Sequence, residues 1–467
     1  MHARRFGFAC FVAALTFQGC VSGDDSTTPP DGGDATVGDV TVGDVTSDAP
    51  TGCAARTAND TAGIFVAPSG GDVSSCGTRT NPCQTITYSV AAAKASTSKT
   101  TLYLAAQGTG VYAESIMLDA PITIEGGWSD TGGTWTPICD ATTSTAVTIQ
   151  GVTNTTITAT FSGAATLRDV QVVSNTTAAP GGTLYGIFAQ GSSTNLTLDQ
   201  VVVTVGSGGA GINGTDGTIG ASATDAGCVA NDGVPGGTGT VGGGAAAGTF
   251  TSAGYVATNG GDAGTGNAGD NGSGGGSGAC ATCDTFSGSC PSSCGFGSAY
   301  QCAGNGVSGC GAQGGTGGTF GTGGGASIAV FVWDAQVTVF GGTFTSGNGG
   351  NGGPGGAGGD GGAPTSGIGG SALGCPTSLS NPQCAFSHCT GILNASYTLD
   401  GGSAGGSGGA GGQGGQGGGG SGGDSFAIIT GGDGGVALNG NPTLAHGDGG
   451  TGAAANGTNG AAADRFP

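Results

Sequence analysis

Few residues in this sequence are equipped for chemistry. Beyond the first twenty positions the basic side chains are Arg56, Arg79, Lys94, Lys99, Arg168 and Arg465. Acid–base cleavage of a glycosidic bond needs paired carboxylates, or carboxylates holding Ca²⁺ beside a basic proton acceptor. Of the six, only Arg168 lies in a stretch that alternates like a strand, Leu167-Arg168-Asp169-Val170-Gln171-Val172. Aligning Leu167 with Leu198 puts Asp199 in the Arg168 slot one repeat later. Arg168 and Asp199 are therefore the candidate catalytic pair. Read as structure, the same two residues form a cross-strand ion pair worth less than about 1 kcal/mol. His388 and His446 are the histidines beyond His2, and neither has the Ser or Cys and Asp company of a nucleophilic triad. Gly419-Gly-Ser-Gly-Gly-Asp424-Ser-Phe426-Ala427 fits the calcium nonapeptide G-G-x-G-x-D-x-U-x, which makes Asp424 a metal candidate and Ca²⁺ the one cofactor to consider. With 111 glycines and no tandem copies, a single match carries little weight, and Gly355 to Gly362 fails the pattern because Gly362 stands where the large apolar residue belongs. No P-loop with its Lys-Ser/Thr is present.

The sixteen cysteines carry a second kind of chemistry. Cys10 and Cys20 fall in the leader. The other fourteen group as Cys53, Cys76, Cys83 and Cys139; then Cys228, Cys280, Cys283, Cys290, Cys294, Cys302 and Cys310; then Cys375, Cys384 and Cys389. An even number in an exported chain suggests a disulfide framework, and clustered Cys staple loops that lack a core. The second and third groups are odd in number, so full oxidation requires a bridge out of each, most simply from one to the other. Cys280-x-x-Cys283 with Cys290 and Cys294, or Cys384 with His388 and Cys389, read instead as zinc sites. An oxidising compartment favours disulfides.

That compartment is inferred from the N-terminus. His2, Arg4 and Arg5 precede an apolar stretch from Phe6 to Phe17, too short to span a bilayer as a helix. Leu15-Thr-Phe17-Gln18-Gly19-Cys20 resembles the lipobox of bacterial lipoproteins, departing from it at Phe17 and Gln18. The resemblance implies lipidation at Cys20 and attachment to the outer membrane or cell surface. A plain secretory signal is the alternative. The formal charge of −21 repels phosphate backbones and anionic lipid, which excludes nucleic acid as a partner and makes any membrane attachment covalent. Residues 21–52 hold seven Asp, three Pro and no basic residue. Such a composition cannot bury a core, and fully stretched it forms a tether on the order of 100 Å long.

The elements that would position these residues are short strands. Leu196-x-Leu198, Val201-x-Val203, Val337-x-Val339 and Val436-x-Leu438 alternate at period two without Asn-Gly hairpin turns between them. Residues 196–206 superpose without a gap on 337–347, and each stretch then enters a long glycine region. Coils of one scaffold that carry insertions at the same corner produce this pattern, and five to seven coils are expected. Ile64-Phe-Val66, a helical stripe at Ile86, Val90 and Ala93, then Tyr112-Ala-Glu114-Ser-Ile116 and Ile122-Thr-Ile124-Glu-Gly-Gly-Trp128 resemble the opening of right-handed parallel β-helix proteins, the pectin-lyase-like superfamily. The resemblance covers about residues 62–205, with echoes at 326–345 and 425–445. It implies an all-β fold, a right-handed parallel β-helix with an N-terminal capping helix, a structural role for Glu114, and long glycine-rich insertions. It says almost nothing about activity.

The expected layout is a signal peptide at 1–20, a tether at 21–52, cap and first coils at 53–205, a Gly/Cys-rich insertion at 206–325, a coil at 326–345, a second insertion at 346–424, a coil at 425–445 and a Gly/Ala-rich tail at 446–467. Inside the insertions, triplets headed by Asn348, Asn351, Pro354, Ala357 and Asp360, and by Ala404, Ser407, Ala410, Gln413 and Gln416, repeat as X-Gly-Gly. Period three is that of an extended polyproline-II helix, and two glycines in three with scarce Pro exclude collagen. Such segments either stay disordered or pack as a bundle of glycine helices, and the cysteines favour packing. The functional expectation is a lipid-anchored surface protein, structural or adhesive, without enzymatic activity. The alternative is a protein that binds or cleaves carbohydrate, and a remote third is a flat period-three surface for ice or mineral.

Overall fold

The computed structural model describes residues 56–466 apart from 107, 109, 140–143, 177, 283–285, 290–299, 375–389, 394–397 and 455. The expected leader with Cys20, the expected tether and Cys53 lie outside the described residues. Among the described residues the architecture is all-β with a single helix, Ile86–Lys94, and is compatible with a β-helix.

Three parallel sheets stack coil upon coil. The first runs through Gly63–Val66, Thr101–Ala105, Thr123–Thr131, Gly163–Arg168, Thr194–Asp199, Gln336–Phe340 and Gly435–Asn439. The second holds Val111–Ala113, Thr148–Gln150, Gln171–Val173, Val202–Thr204, Thr343–Thr345 and Thr443–Ala445. The third holds Ile116–Leu118, Thr155–Ala159, Leu184–Gln190, Ser327–Trp333, Ser425–Gly431 and Ala462–Phe466. From Thr101 onward the chain visits the sheets in that order six times, within the count expected from the sequence.

Register turns the period-two pattern into aliphatic columns. Leu102, Ile124, Leu167, Leu198, Val339 and Leu438 stack along the first sheet. Tyr112, Ile149, Val172, Val203, Phe344 and Leu444 stack along the second, and Ile116, Ile157, Ile187, Val330 and Ile428 along the third. These columns meet in one narrow core. Leu196 opposite Val337 and Val202 opposite Thr343 reproduce the 141-residue offset read from the sequence. At the corner between the first and second sheets the chain takes a left-handed residue in three successive coils, Asp169, Gln200 and Gly341.

The helix packs Ile86, Val90 and Ala93 against the first coils, the stripe expected. Thr85 caps it, its Oγ1 accepting from Tyr88 N at 3.2 Å. Glu114 reaches the same end, Oε1 accepting from Ile86 N and Oε2 from Thr87 N, both at 2.8 Å. A carboxylate placed there satisfies two orphan donors and complements the helix dipole.

The long glycine stretches all leave between the second and third sheets, in the last three coils. Where described, they are hydrogen-bonded to one another. Gly208, Gly211, Gly214, Gly217 and Gly220 donate to the carbonyls of Asn348, Asn351, Pro354, Ala357 and Asp360 at 2.7–2.9 Å. Gly353, Gly356 and Gly359 donate to Thr322, Thr319 and Thr316, and Gly420, Gly417 and Gly414 donate to Gly353, Gly356 and Gly359. Gly260, Gly266 and Gly315 extend the same period to further segments. Every third residue bonds a neighbouring chain, as a bundle of extended glycine helices requires, and the triplet heads Asn351, Pro354, Ala357 and Asp360 point outward. Among the described residues the arrangement is the packed one of the two left open by the sequence.

Candidate functional site

The candidate pair meets as the alignment anticipates. Arg168 and Asp199 are register partners on neighbouring strands of the first sheet, and Arg168 Nε donates to Asp199 Oδ2 at 2.7 Å. Glu125 precedes them in the same row, opposite Arg168. Arg56 comes in from the N-terminal side and joins the group: Nη2 lies 2.5 Å from Glu125 Oε1, Nη1 lies 2.6 Å from Asp169 Oδ2, and the guanidinium sits 5.2 Å from the centre of the Trp128 ring. The result is a row of two guanidiniums and three carboxylates at the corner that leads to the second sheet.

The geometry follows from local backbone needs. Asp169 takes φ 50°, a left-handed conformation that Asp tolerates better than most residues, and its N–H donates to Asp199 O at 3.0 Å. That turn swings its carboxylate back beneath Arg56. Asp169 and Glu125 are buried, so each depends on Arg56 for compensation. Burial raises the Asp169 carboxyl above its ordinary value, with Arg56 pulling the other way. Burial disfavours the Arg168 charge, yet the hydrogen bond and charge of Asp199, with the fields of Glu125 and Asp169, outweigh it and leave the guanidinium pKa raised.

Each carboxylate here accepts from an arginine, and each arginine is engaged. A general base must release its partner before it can take a proton, and a general acid must hold one. The arrangement clamps residue 56 and three successive coils together. Sequence reasoning reached Arg168 and Asp199 but passed over the rest. Glu125 was within reach, since aligning Ile124 with Leu167 puts it in the Arg168 slot. No sequence signal ties Arg56 to that row.

Asp424, the calcium candidate, is 5 % exposed at the end of a glycine segment. Its Oδ1 accepts from Ala461 N at 2.8 Å, which fastens the C-terminal strand to the preceding coil. Burial pushes its carboxyl up to about 6 against that hydrogen bond. Among the described residues no group of three or more His, Cys, Asp or Glu is placed to hold a metal. His446 lies with Nδ1 2.8 Å from the carbonyl of Gly447 and Nε2 3.9 Å from Asp464.

Where both partners are described, the cysteines pair within their own groups. Cys76 bridges to Cys83, Cys228 to Cys310 and Cys280 to Cys302, and Cys139 is also disulfide-bonded. The bridge at Cys280 removes it from the zinc alternative. Its register explains the bond, since Cys280 stands opposite Cys302 in a short antiparallel ladder. The expected link between the second and third cysteine groups falls on Cys283, Cys290, Cys294, Cys375, Cys384 and Cys389, and the second zinc alternative on His388; all lie outside the described residues. What is described is the antiparallel pairing of Phe286–Ser289 with Thr390–Leu393, which ends with Ser289 opposite Thr390. No protein-family model, curated protein or solved structure matches this chain.

Proposed function

We propose that the chain is a bacterial lipoprotein, exported and anchored through Cys20, that displays a glycine-helix bundle on a right-handed, helix-capped parallel β-helix as a structural or adhesive element of the cell surface. The observation that carries this reading is where the glycine goes. The long glycine segments leave at one corner, in register, and hydrogen-bond into a single bundle whose outward positions are the triplet heads. A chain that spends so much of its length on a hydrogen-bonded surface, and that commits the charged row of Arg56, Glu125, Arg168, Asp169 and Asp199 to mutual pairing, is built for display rather than turnover. The disulfides agree with an oxidising compartment, and no helix among the described residues is long and apolar enough to cross a membrane.

The test is metabolic labelling of the full chain in a bacterial host with a clickable fatty acid. Label on the native chain, its loss in Cys20→Ser, and sensitivity of intact cells' protein to added protease are the expected results. An unlabelled native chain refutes the anchor. The carbohydrate reading rests on the outward stack of Arg168 and Asp199. A polysaccharide panel scored for binding and cleavage separates the two: turnover abolished by Asp199→Ala would make this an enzyme.

A further inference from the structure

We propose that the cavity between the hairpin 249–256, the outer face of the third sheet and the C-terminal strand binds a small organic ammonium, such as a trimethylammonium head group. The cavity measures ≈ 470 Å³ and its walls include Phe250, Trp333, Phe466, Asp424, Thr430 and Asn459. Three separate parts of the chain build it. Thr249–Thr251 pairs with Gly254–Val256, and this hairpin lays Phe250 over the sheet, 5.9 Å from Phe426 and 5.2 Å from Phe466 between ring centres. The C-terminal strand Ala462–Phe466 adds the last rung and sets Phe466 opposite Ile429. Trp333 stands opposite Gly431, and its indole lies down across that glycine: a Cβ there would come within 2.3 Å of the ring.

The chemistry of the walls selects the ligand. Aromatic faces are electron-rich and attract cations, best when the cation is poorly hydrated. Asp424 is the charged residue among the lining side chains, and no lysine or arginine lines the cavity. Its carboxyl, held up near 6 by burial, is mostly ionised at neutral pH, and no ion pair to it is formed among the described residues. Tyr255, the other titrating group facing it, has its phenol pushed well above its ordinary value by burial and by Asp424, so it stays neutral. Part of the polar lining is already engaged, Asp424 Oδ1 accepting from Ala461 N and Asn459 Oδ1 from Gly452 N, both at 2.8 Å, which leaves a polyhydroxylated ligand fewer partners than the rings offer a methylated cation. A bare metal ion would want several oxygen ligands where one carboxylate stands. A methylated ammonium needs only the rings and the charge.

The test is calorimetric titration of the oxidised full chain at pH 7.5 with choline, with its uncharged isostere 3,3-dimethylbutan-1-ol, and with methyl glucoside. Choline should bind, and the isostere should bind at least about tenfold more weakly, since only the charge differs. Asp424→Asn keeps an oxygen for Ala461 N and should lose choline affinity by about the same factor. Trp333→Leu should weaken choline binding, while Trp333→Phe should retain most of it. Unchanged amide exchange across 425–431 will show that each variant is folded. Choline binding should also fade below about pH 6. No choline binding, equal binding of the alcohol, or preference for the glucoside overturns the proposal.

Discussion

The packing of the glycine bundle makes a prediction that two alanine substitutions decide between them. At Gly356 a Cβ would stand 2.0 Å from Thr215 O and 2.3 Å from Thr215 C. Ordinary contact begins near 3.4 Å, so the neighbouring chain must retreat by more than an ångström. That chain is not free to move. Thr215 O accepts from Thr319 N at 2.9 Å, Gly356 N donates to Thr319 O at 2.9 Å, and Gly356 O accepts from Gly417 N at 2.8 Å. Overpacking of this kind costs about 1–3 kcal/mol. Weakening two or three buried backbone bonds, each worth about 0.5–1.5 kcal/mol net, adds about 1–3 more. Gly356→Ala should therefore destabilise the bundle by about 2–6 kcal/mol. Gly243 is the matched control. It lies in a bonded segment, its carbonyl accepting from Gly261 N at 2.7 Å, yet an added Cβ meets nothing within 4 Å. Gly243→Ala should be neutral or stabilising by up to about 1 kcal/mol, because alanine has less unfolded-state freedom to lose. The assay is amide hydrogen exchange at the peptide level on oxidised protein. Protection across 208–223, 313–325 and 411–423 should fall in Gly356→Ala and hold in Gly243→Ala. Equal protection in the two variants would falsify the packed bundle, whatever the state of the β-helix.

Three further outcomes follow from the charged and oxidised groups. Arg56→Met leaves Asp169 and Glu125 buried without their cation and should cost about 3 kcal/mol in denaturant unfolding, whereas Arg168→Ala, which breaks a half-exposed pair, should cost less than about 1; the reverse order would contradict the geometry of the row. Asp424 has a folded pKa near 6, above its ordinary 3.8, so the folded chain binds its proton more tightly than the unfolded chain does. The contribution is then fullest below about pH 4 and declines as pH rises to about 6, by up to about 3 kcal/mol; Asp424→Asn should remove that decline, and identical pH profiles for native and variant would refute it. Non-reducing peptide mapping should recover the pairs Cys76–Cys83, Cys228–Cys310 and Cys280–Cys302 together with one peptide joining 283–294 to 375–389, and a free thiol in each of those two clusters would remove the cross-link.

The parallel architecture was legible because it rests on side-chain period and on one gapless alignment. Period two forces alternate residues inward, and the offset of 141 residues fixes which strand lies on which. The offset places Leu198 on Val339, and the separate alignment of Leu167 with Leu198 places Asp199 beside Arg168. The candidate site was legible only where it obeyed the same periodicity. Arg56 reaches Glu125 from outside the repeat, Asp169 reaches Arg56 by a left-handed turn, and neither relation has a sequence period. The aromatic cavity was hidden for a similar reason. Phe250 sits in a hairpin within a glycine stretch, Phe466 at the chain's end and Trp333 mid-strand, and only tertiary packing joins them.

The order of the glycine segments has a physical source that composition conceals. Glycine loses more backbone freedom on folding than any other residue and brings no apolar surface to offset it. The bundle must therefore start from a fixed register, and the exit corner supplies one. Ser174, Ser327, Ser346 and Ser425 are all buried there. Ser174 Oγ accepts from Gly206 N at 2.9 Å, Ser327 Oγ donates to Gly206 O and accepts from Gly347 N, each at 2.8 Å, and Ser425 Oγ donates to Gly347 O at 2.7 Å. Gly206 and Gly347 stand two residues past the strand ends at Thr204 and Thr345, so each segment leaves the sheet already hydrogen-bonded to its neighbour. From that point the period-three ladder needs only to propagate, one bond for each residue triplet, as a helix does once its first turn is made. The aliphatic columns position the corner, the serines set the phase, and the glycines permit chains to approach where any Cβ would collide. A sequence of the same composition with its serines elsewhere would have the material for a bundle and no register in which to build it.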